Sequence, residues 1–135
     1  MRKKSEAQLF LEQVEKLDAM IRNKLIEKQQ WRDIEEDIAA NVAGELEQSS
    51  AIRRCEEMEA ELDSLVALLI AKKKEVTQTI EQLYSATEYN VLHMRYIQFK
   101  TLQEIADAYG YEYTWATTTN GRALKNVSEI LNKNL

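Results

Sequence analysis

Proline is absent from this chain of 135 residues, and glycine occurs only three times. Proline interrupts helices and glycine weakens them, so a chain with so little of either favours long helices over sheets and loops. One cysteine, Cys55, excludes an internal disulfide. The apolar run VALLI at 66–70 is far too short to span a bilayer, and no apolar stretch follows the basic start MRKKSEAQLFLEQ. These absences predict an all-α, cytoplasmic protein that does not enter a membrane.

The residue types that carry most enzyme chemistry are also scarce. His93 is the only histidine, and the chain has no Cys-x-x-Cys, His-x-x-x-His or EF-hand spacing and no glycine-rich phosphate loop. His93 is expected to be a structural or surface side chain, and Cys55 a small residue packed on a helical seam. We therefore expect no metal, no cofactor and no catalytic activity.

Positive charge is limited, and it is unevenly distributed along the chain. Residues 1–90 contain 13 basic and 19 acidic side chains, whereas residues 91–135 contain 5 basic and 4 acidic ones. A protein that binds nucleic acid needs lysine and arginine to meet the phosphates. The C-terminal part alone is therefore expected to bind DNA weakly and in a salt-sensitive way, with a dimer or a protein partner supplying the rest.

The first forty residues have the apolar spacing of a helix. The stripe consists of Phe10, Leu17, Trp31 and Ile38 at seven-residue steps, interrupted by Lys24, together with Val14, Ile21 and Val42. The segment GELEQSS at 44–50 ends this pattern. Gly44 is expected to cap the first helix, and Ser49 or Ser50 to cap the next one.

A second long helix is predicted over residues 51–84. It carries a coiled-coil-like heptad seam formed by Cys55, Leu62, Leu69, Val76 and Leu83. Such a helix cannot bury its own stripe, so residues 1–84 are expected to form an antiparallel helical hairpin. Because the seam is longer than one partner helix need cover, the hairpin is also expected to mediate a homodimer.

Residues 85–135 are predicted to form a separate domain built around a helix-turn-helix. In its central stretch, LQEIADAYGYEYTWATTTNG, Ile105 and Ala106 lie in the first helix. Gly110 stands at the turn, where glycine tolerates a left-handed backbone. The second helix is expected to begin near Glu112 or Tyr113 and to place its exposed face in the major groove of DNA.

The second helix of the motif divides into a buried face and an outward face. The buried face is predicted to consist of Ala116, Thr119 or Asn120, Ala123, Val127 and Ile130, and Trp115 is expected to be partly buried. The outward face is predicted to consist of Tyr113, Thr114, Thr117, Thr118, Arg122 and Lys125. Threonine hydroxyls and methyls suit base edges, whereas arginine and lysine suit phosphates.

The stretches VLHMRYIQFKTLQEIADAYGY and GRALKNV, within residues 91–127, resemble region 4 of bacterial sigma-70-type factors. The chain is also similar to small phage and prophage regulators related to the autolysin regulator ArpU, through NKLIEKQQW at 23–31 and NGRALKNV at 120–127. The resemblance implies a regulator in the bacterial cytoplasm that binds double-stranded DNA, with RNA polymerase as a candidate further partner.

The same resemblance implies roles for the outward residues. Tyr113, Thr114, Thr117 and Thr118 correspond to positions that read a promoter element, and Arg122 and Lys125 lie near the backbone contacts. Two other classes of function remain open at this point. One is a small terminase-like DNA-packaging protein, which would form a large ring; the other is a protein-binding module that never touches DNA.

Overall fold

A computed structural model describes residues 3–40 and 45–134 of the chain. Within these ranges the chain forms five α-helices and no strand: α1 (Glu6–Ala40), α2 (Glu45–Ile80), α3 (Ala86–Leu92), α4 (Leu102–Tyr109) and α5 (Tyr113–Lys133). The prediction of an all-α protein that begins with two long helices is confirmed. In the same residues, no helix combines the length and the apolar character that crossing a membrane requires.

The second long helix begins earlier than the sequence predicted. α2 starts at Glu45, so Ser49 and Ser50 lie inside it rather than capping it, and the prediction of a cap there was wrong. The strong helix formers of the segment ELEQ outweigh the two serines. Three other features of the predicted hairpin lie outside the described part of the chain: Gly44, Val42 and the side chain of Ile38.

Contacts between residues group the chain into two compact units. One unit contains the start of α1 up to Lys16, the end of α2 from Ala71, and the three shorter helices. The other unit consists of Leu17–Ile70. The first will be called the terminal unit and the second the central unit. The predicted boundary between a hairpin of residues 1–84 and a domain of residues 85–135 stays a prediction.

In the central unit, ion pairs show that α1 and α2 run antiparallel. Lys24 Nζ lies 2.7 Å from Glu61 Oε2, and Lys28 Nζ lies 2.7 Å from Glu59 Oε1. Lys24, which interrupts the apolar stripe, therefore still faces α2. Hydrogen bonds from these two lysines hold the pKa of Glu61 and of Glu59 below the ordinary value.

The terminal unit contains most of the fully buried apolar side chains. Its core is formed by Ala7, Leu11 and Val14 from α1, Val76 and Ile80 from α2, Val91 and Leu92 from α3, and Ile105, Ala106, Ala116, Ala123 and Val127 from α4 and α5. Val76 belongs to the predicted heptad seam, so this part of the seam is buried within the chain. The start of the hairpin thus shares one core with the C-terminal helices.

A π-helical turn, His93–Ile97, continues α3 and connects it to α4. The chain leaves this turn through Phe99, whose φ of 60° lies in the left-handed region that residues other than glycine rarely adopt. The Arg95 guanidinium donates a hydrogen bond of 3.2 Å to the carbonyl of Lys100. These contacts hold the turn while Tyr96 enters the core.

α4 begins with a capping box. Thr101 Oγ1 accepts a hydrogen bond from the Glu104 backbone N–H at 3.1 Å, and Glu104 Oε1 accepts one from the Thr101 N–H at 3.0 Å. Each side chain satisfies a backbone donor that the first turn of a helix leaves unpaired. The hydrogen bonds from Thr101 lower the pKa of Glu104 from its ordinary 4.5.

Thr101→Ala should lower the free energy of unfolding by about 1 kcal/mol, because the N-cap oxygen is lost. The lowered pKa of Glu104 means that its carboxylate stabilises the fold above pH 4.5, and that this contribution is lost as the pH falls below that value. Parent and variant should both lose this contribution in acid, because each has the backbone N–H of residue 101 that donates to Glu104, so the difference between them should persist. Urea unfolding at neutral and acidic pH measures it, with Thr101→Ser, which keeps the cap, as the control. Equal stability of parent and Thr101→Ala at neutral pH would contradict the assignment.

Candidate nucleic-acid interface

The turn between α4 and α5 is fixed by backbone hydrogen bonds at Gly110. The amide of Gly110 donates to the carbonyl of Asp107, and the amide of Tyr111 donates to that of Ala106. This pattern requires a left-handed residue after the helix, and Gly110 has a φ of 71°. Only two further residues, Tyr111 and Glu112, precede α5. The predicted glycine turn and the predicted start of the second helix are both confirmed.

The buried side of α5 is a narrow stripe of small residues. Ala116, Ala123 and Val127 are fully buried, and Thr119 retains 5% of its accessible surface. This side of α5 contacts both α3 and α4. Because alanine and threonine are small, the backbone of α5 approaches its neighbours closely. The predicted inward face is confirmed at these four positions, whereas Asn120 and Ile130 are only half-buried.

Two asparagines of α5 face the elements that pack against it. Asn126 Nδ2 donates to Glu88 Oε1 at 2.6 Å, which joins α5 to α3. The side-chain amide of Asn120 lies near the hydroxyl of Tyr96, which is 4% exposed. Burial raises the pKa of Tyr96 above 10.0 by more than its partners Asn120 and Arg95 lower it. Sequence reasoning missed the role of Glu88 and Asn126; the signal was a polar residue beside an apolar stripe.

The side of α5 that faces away from this core carries the predicted contact residues. Tyr113, Thr114, Thr118, Arg122 and Lys125 are exposed. Thr117 is half-buried, and its hydroxyl donates a hydrogen bond of 2.9 Å to the carbonyl of Thr114. The structure therefore brings all six residues to one helix, with five of them open to solvent. Their function as a contact surface stays a prediction.

An aromatic cluster covers the turn that precedes this face. The rings of Tyr109, Tyr111 and Trp115 lie 4.8–6.3 Å apart between centroids. Tilted and offset ring pairs at such separations attract one another beyond simple burial. Trp115 is half-buried, as predicted, whereas Tyr111 keeps 57% of its surface exposed. The cluster packs the turn against the start of α5, and the sequence had not indicated that the three rings meet.

The charge of α5 differs in sign from that of the whole chain. α5 contains Arg122, Lys125 and Lys133 and one acidic residue, Glu129, whereas the chain has a net charge of −5. Arg122 and Lys125 lie about one turn apart, beyond the exposed threonines. In the described residues, no group of three or more histidine, cysteine or acidic side chains could hold a metal ion. The chemistry that α5 offers is therefore hydroxyl, aromatic and cationic contact.

Comparisons with protein-family models, with curated proteins and with solved structures found no match for this chain. The functional reading therefore depends on the geometry of α4 and α5 and on the residues that they expose.

Tyr96→Phe should lower the free energy of unfolding by about 1 kcal/mol at neutral pH, because the buried hydroxyl of Tyr96 no longer offers a polar contact to the Asn120 amide. The raised pKa of Tyr96 favours its neutral form in the folded chain, so the parent should lose stability as the pH rises above 10.0. The free energy of unfolding of Tyr96→Phe should fall less than that of the parent over this pH range. Denaturant unfolding on both sides of that pH measures the difference. Tyr84→Phe is the control, because Tyr84 is fully exposed; identical profiles for all three proteins would contradict the assignment.

Proposed function

We propose that this protein is a DNA-binding transcriptional regulator of a phage or prophage. In it, α4 and α5 form a helix-turn-helix like that of sigma region 4, and α5 enters the major groove of DNA. The observation that carries the proposal is the two-sided build of α5. One side is buried to the backbone, and the opposite side presents threonines and two basic residues to solvent. We assign it no catalytic role and place it in the bacterial cytoplasm.

The geometry of the turn supports a helix-turn-helix. α4 has eight residues, begins at a capping box and ends at the left-handed Gly110, and α5 follows after two more residues. Short helices joined by a tight, often glycine-containing turn are typical of this motif. A helix whose outward face bears small polar residues first and basic residues later suits base contact and then phosphate contact.

Thr118→Ala and Thr117→Ala should each reduce the preference for cognate over random DNA by about 1 kcal/mol, roughly fivefold. The loss should be larger at Thr118, because the Thr117 hydroxyl already donates to Thr114. Arg122→Ala should weaken binding to both duplexes alike. It should also lower the slope of log binding constant against log salt concentration by about one, the amount expected for one lost phosphate contact. Titrations at two salt concentrations, with a duplex that the parent protein selects from a random pool, measure both effects.

Lys133→Ala is the matched control for Arg122→Ala, since it removes a positive charge from the last turn of the same helix. If the parent binds duplex DNA and every variant binds as the parent does, this face of α5 is not the contact surface. If the parent binds no duplex, the protein-binding module becomes the better reading, with RNA polymerase as its first candidate partner. A ring of many copies in solution would favour the terminase-like alternative.

We also propose that the central unit mediates a homodimer. Among its described side chains, the buried apolar ones are Ala51, Met58 and Leu62, whereas the exposed large apolar ones are Met20, Leu25, Ile26, Ile34, Ile52, Val66, Leu68 and Ile70. A contact with a second copy would remove such side chains from water. A second copy would also double the number of basic residues that meet DNA. The buried seam residues Leu62 and Val76 are already used within the chain, so the contact would involve other positions.

Val66→Glu combined with Ile70→Glu should convert the dimer to a monomer. The two residues lie one turn apart on α2 and are 41% and 65% exposed, so the charges should cost the folded chain little. Light scattering at micromolar concentration gives the mass, and circular dichroism checks the helices. Ser64→Glu adds a charge at another exposed position of α2 and should leave the dimer intact. A parent with the mass of one chain would contradict the dimer.

A further inference from the structure

A groove of about 640 Å³ separates the segment before α1 from the middle of α5, and both walls belong to the terminal unit. One wall consists of Lys3, Lys4, Ser5 and Gln8. The other consists of Gly121, Leu124, Lys125 and Ser128. The groove therefore includes Lys125 of the proposed DNA-binding face and brings together residues that are far apart in the sequence.

The groove is lined by cations and by small polar groups. Of the eight lining residues that the structure describes, three are lysines and none is acidic. Lys4 Nζ lies 2.9 Å from Glu12 Oε2, so part of its charge is neutralised, and this ion pair holds the segment against α1. Lys3 and Lys125 are exposed. A concave surface with this composition suits an anionic chain that carries hydrogen-bond acceptors, as a phosphodiester backbone does.

Besides the composition of the groove, the glycine at position 121 indicates that a ligand binds here. It lies in the interior of α5, one turn before Lys125, where glycine weakens a helix relative to alanine. A Cβ placed on Gly121 would meet no atom within 4 Å, so packing within the chain does not require glycine here. A partner that approaches the helix backbone at this point would account for it.

We propose that this groove binds one phosphodiester strand of duplex DNA, with Lys3 and Lys125 at the phosphates and Gly121 at the point of closest approach. The inference rests on the proposed function, and it adds a second contact wall that lies outside α4 and α5. It also identifies a source of positive charge that the C-terminal helices alone lack. Residues at the start of the chain thus take part in DNA binding.

Two variants of the full-length chain test the proposal by fluorescence anisotropy on a labelled random duplex of about 20 base pairs. Lys3→Ala should weaken binding about threefold to tenfold at low salt and lower the salt slope by about one. Gly121→Ala should raise the melting temperature by about 3 °C, because alanine favours the helix. The same variant should weaken binding about fivefold or more, because the new methyl group holds the DNA backbone away.

The controls separate these effects from general ones. Lys133→Ala removes a charge from α5 outside the groove, and Asn132→Ala raises helix propensity at an exposed position outside it. Both should bind as the parent does. If Lys3→Ala and Gly121→Ala also bind as the parent while Arg122→Ala weakens binding, the groove proposal is overturned and the proposed function stands. A parent that binds no duplex overturns both.

Discussion

The closeness with which α5 approaches its neighbours is the constraint on which the rest of the terminal unit depends. Ala116, Thr119 and Ala123 bring its backbone near α3 and α4, where a stripe of leucines would hold it farther away. At that short distance, the amide of Asn126 donates a hydrogen bond to Glu88, and the amide of Asn120 lies near Tyr96. Apolar contact alone leaves a helix free to rotate slightly about its axis, whereas directional hydrogen bonds on the flanks fix that rotation. The residues that α5 turns outward follow from these inward contacts.

The two units use different means to hold helices together. The terminal unit buries a continuous apolar core and adds hydrogen bonds around α5. The part of the central unit that the structure describes buries few apolar side chains, joins its helices through lysine–glutamate pairs, and leaves large apolar residues in contact with solvent. Exposed ion pairs contribute little net stability. In the proposed dimer, a second copy would cover the apolar side chains that the central unit exposes.

The sequence predicted the elements whose signals are local and repeated. The apolar periods predicted both long helices, and Gly110 predicted the turn before α5, because a left-handed residue there leaves few alternatives. The start of α2 was predicted wrongly from Ser49 and Ser50, because capping residues also occur inside helices when their neighbours are strong helix formers. Contacts between distant positions, such as Glu88 with Asn126, have no periodic signal. The approach of Lys3 to Gly121 and Lys125 is of the same kind, and only the folded chain shows it.

The lysine–glutamate pairs of the central unit also favour one register between its two helices. A seam with a seven-residue repeat is preserved when one helix slides by a full heptad, so apolar contact alone does not fix the alignment. Lys24 now meets Glu61. A slip of seven residues in one direction would place this lysine opposite Leu68, and a slip in the other direction would place it opposite Arg54. The first slip would leave the ammonium group of Lys24 beside an apolar side chain, and the second would bring two positive charges together. Lys24, the one interruption of the apolar stripe, therefore favours a single alignment of the two helices.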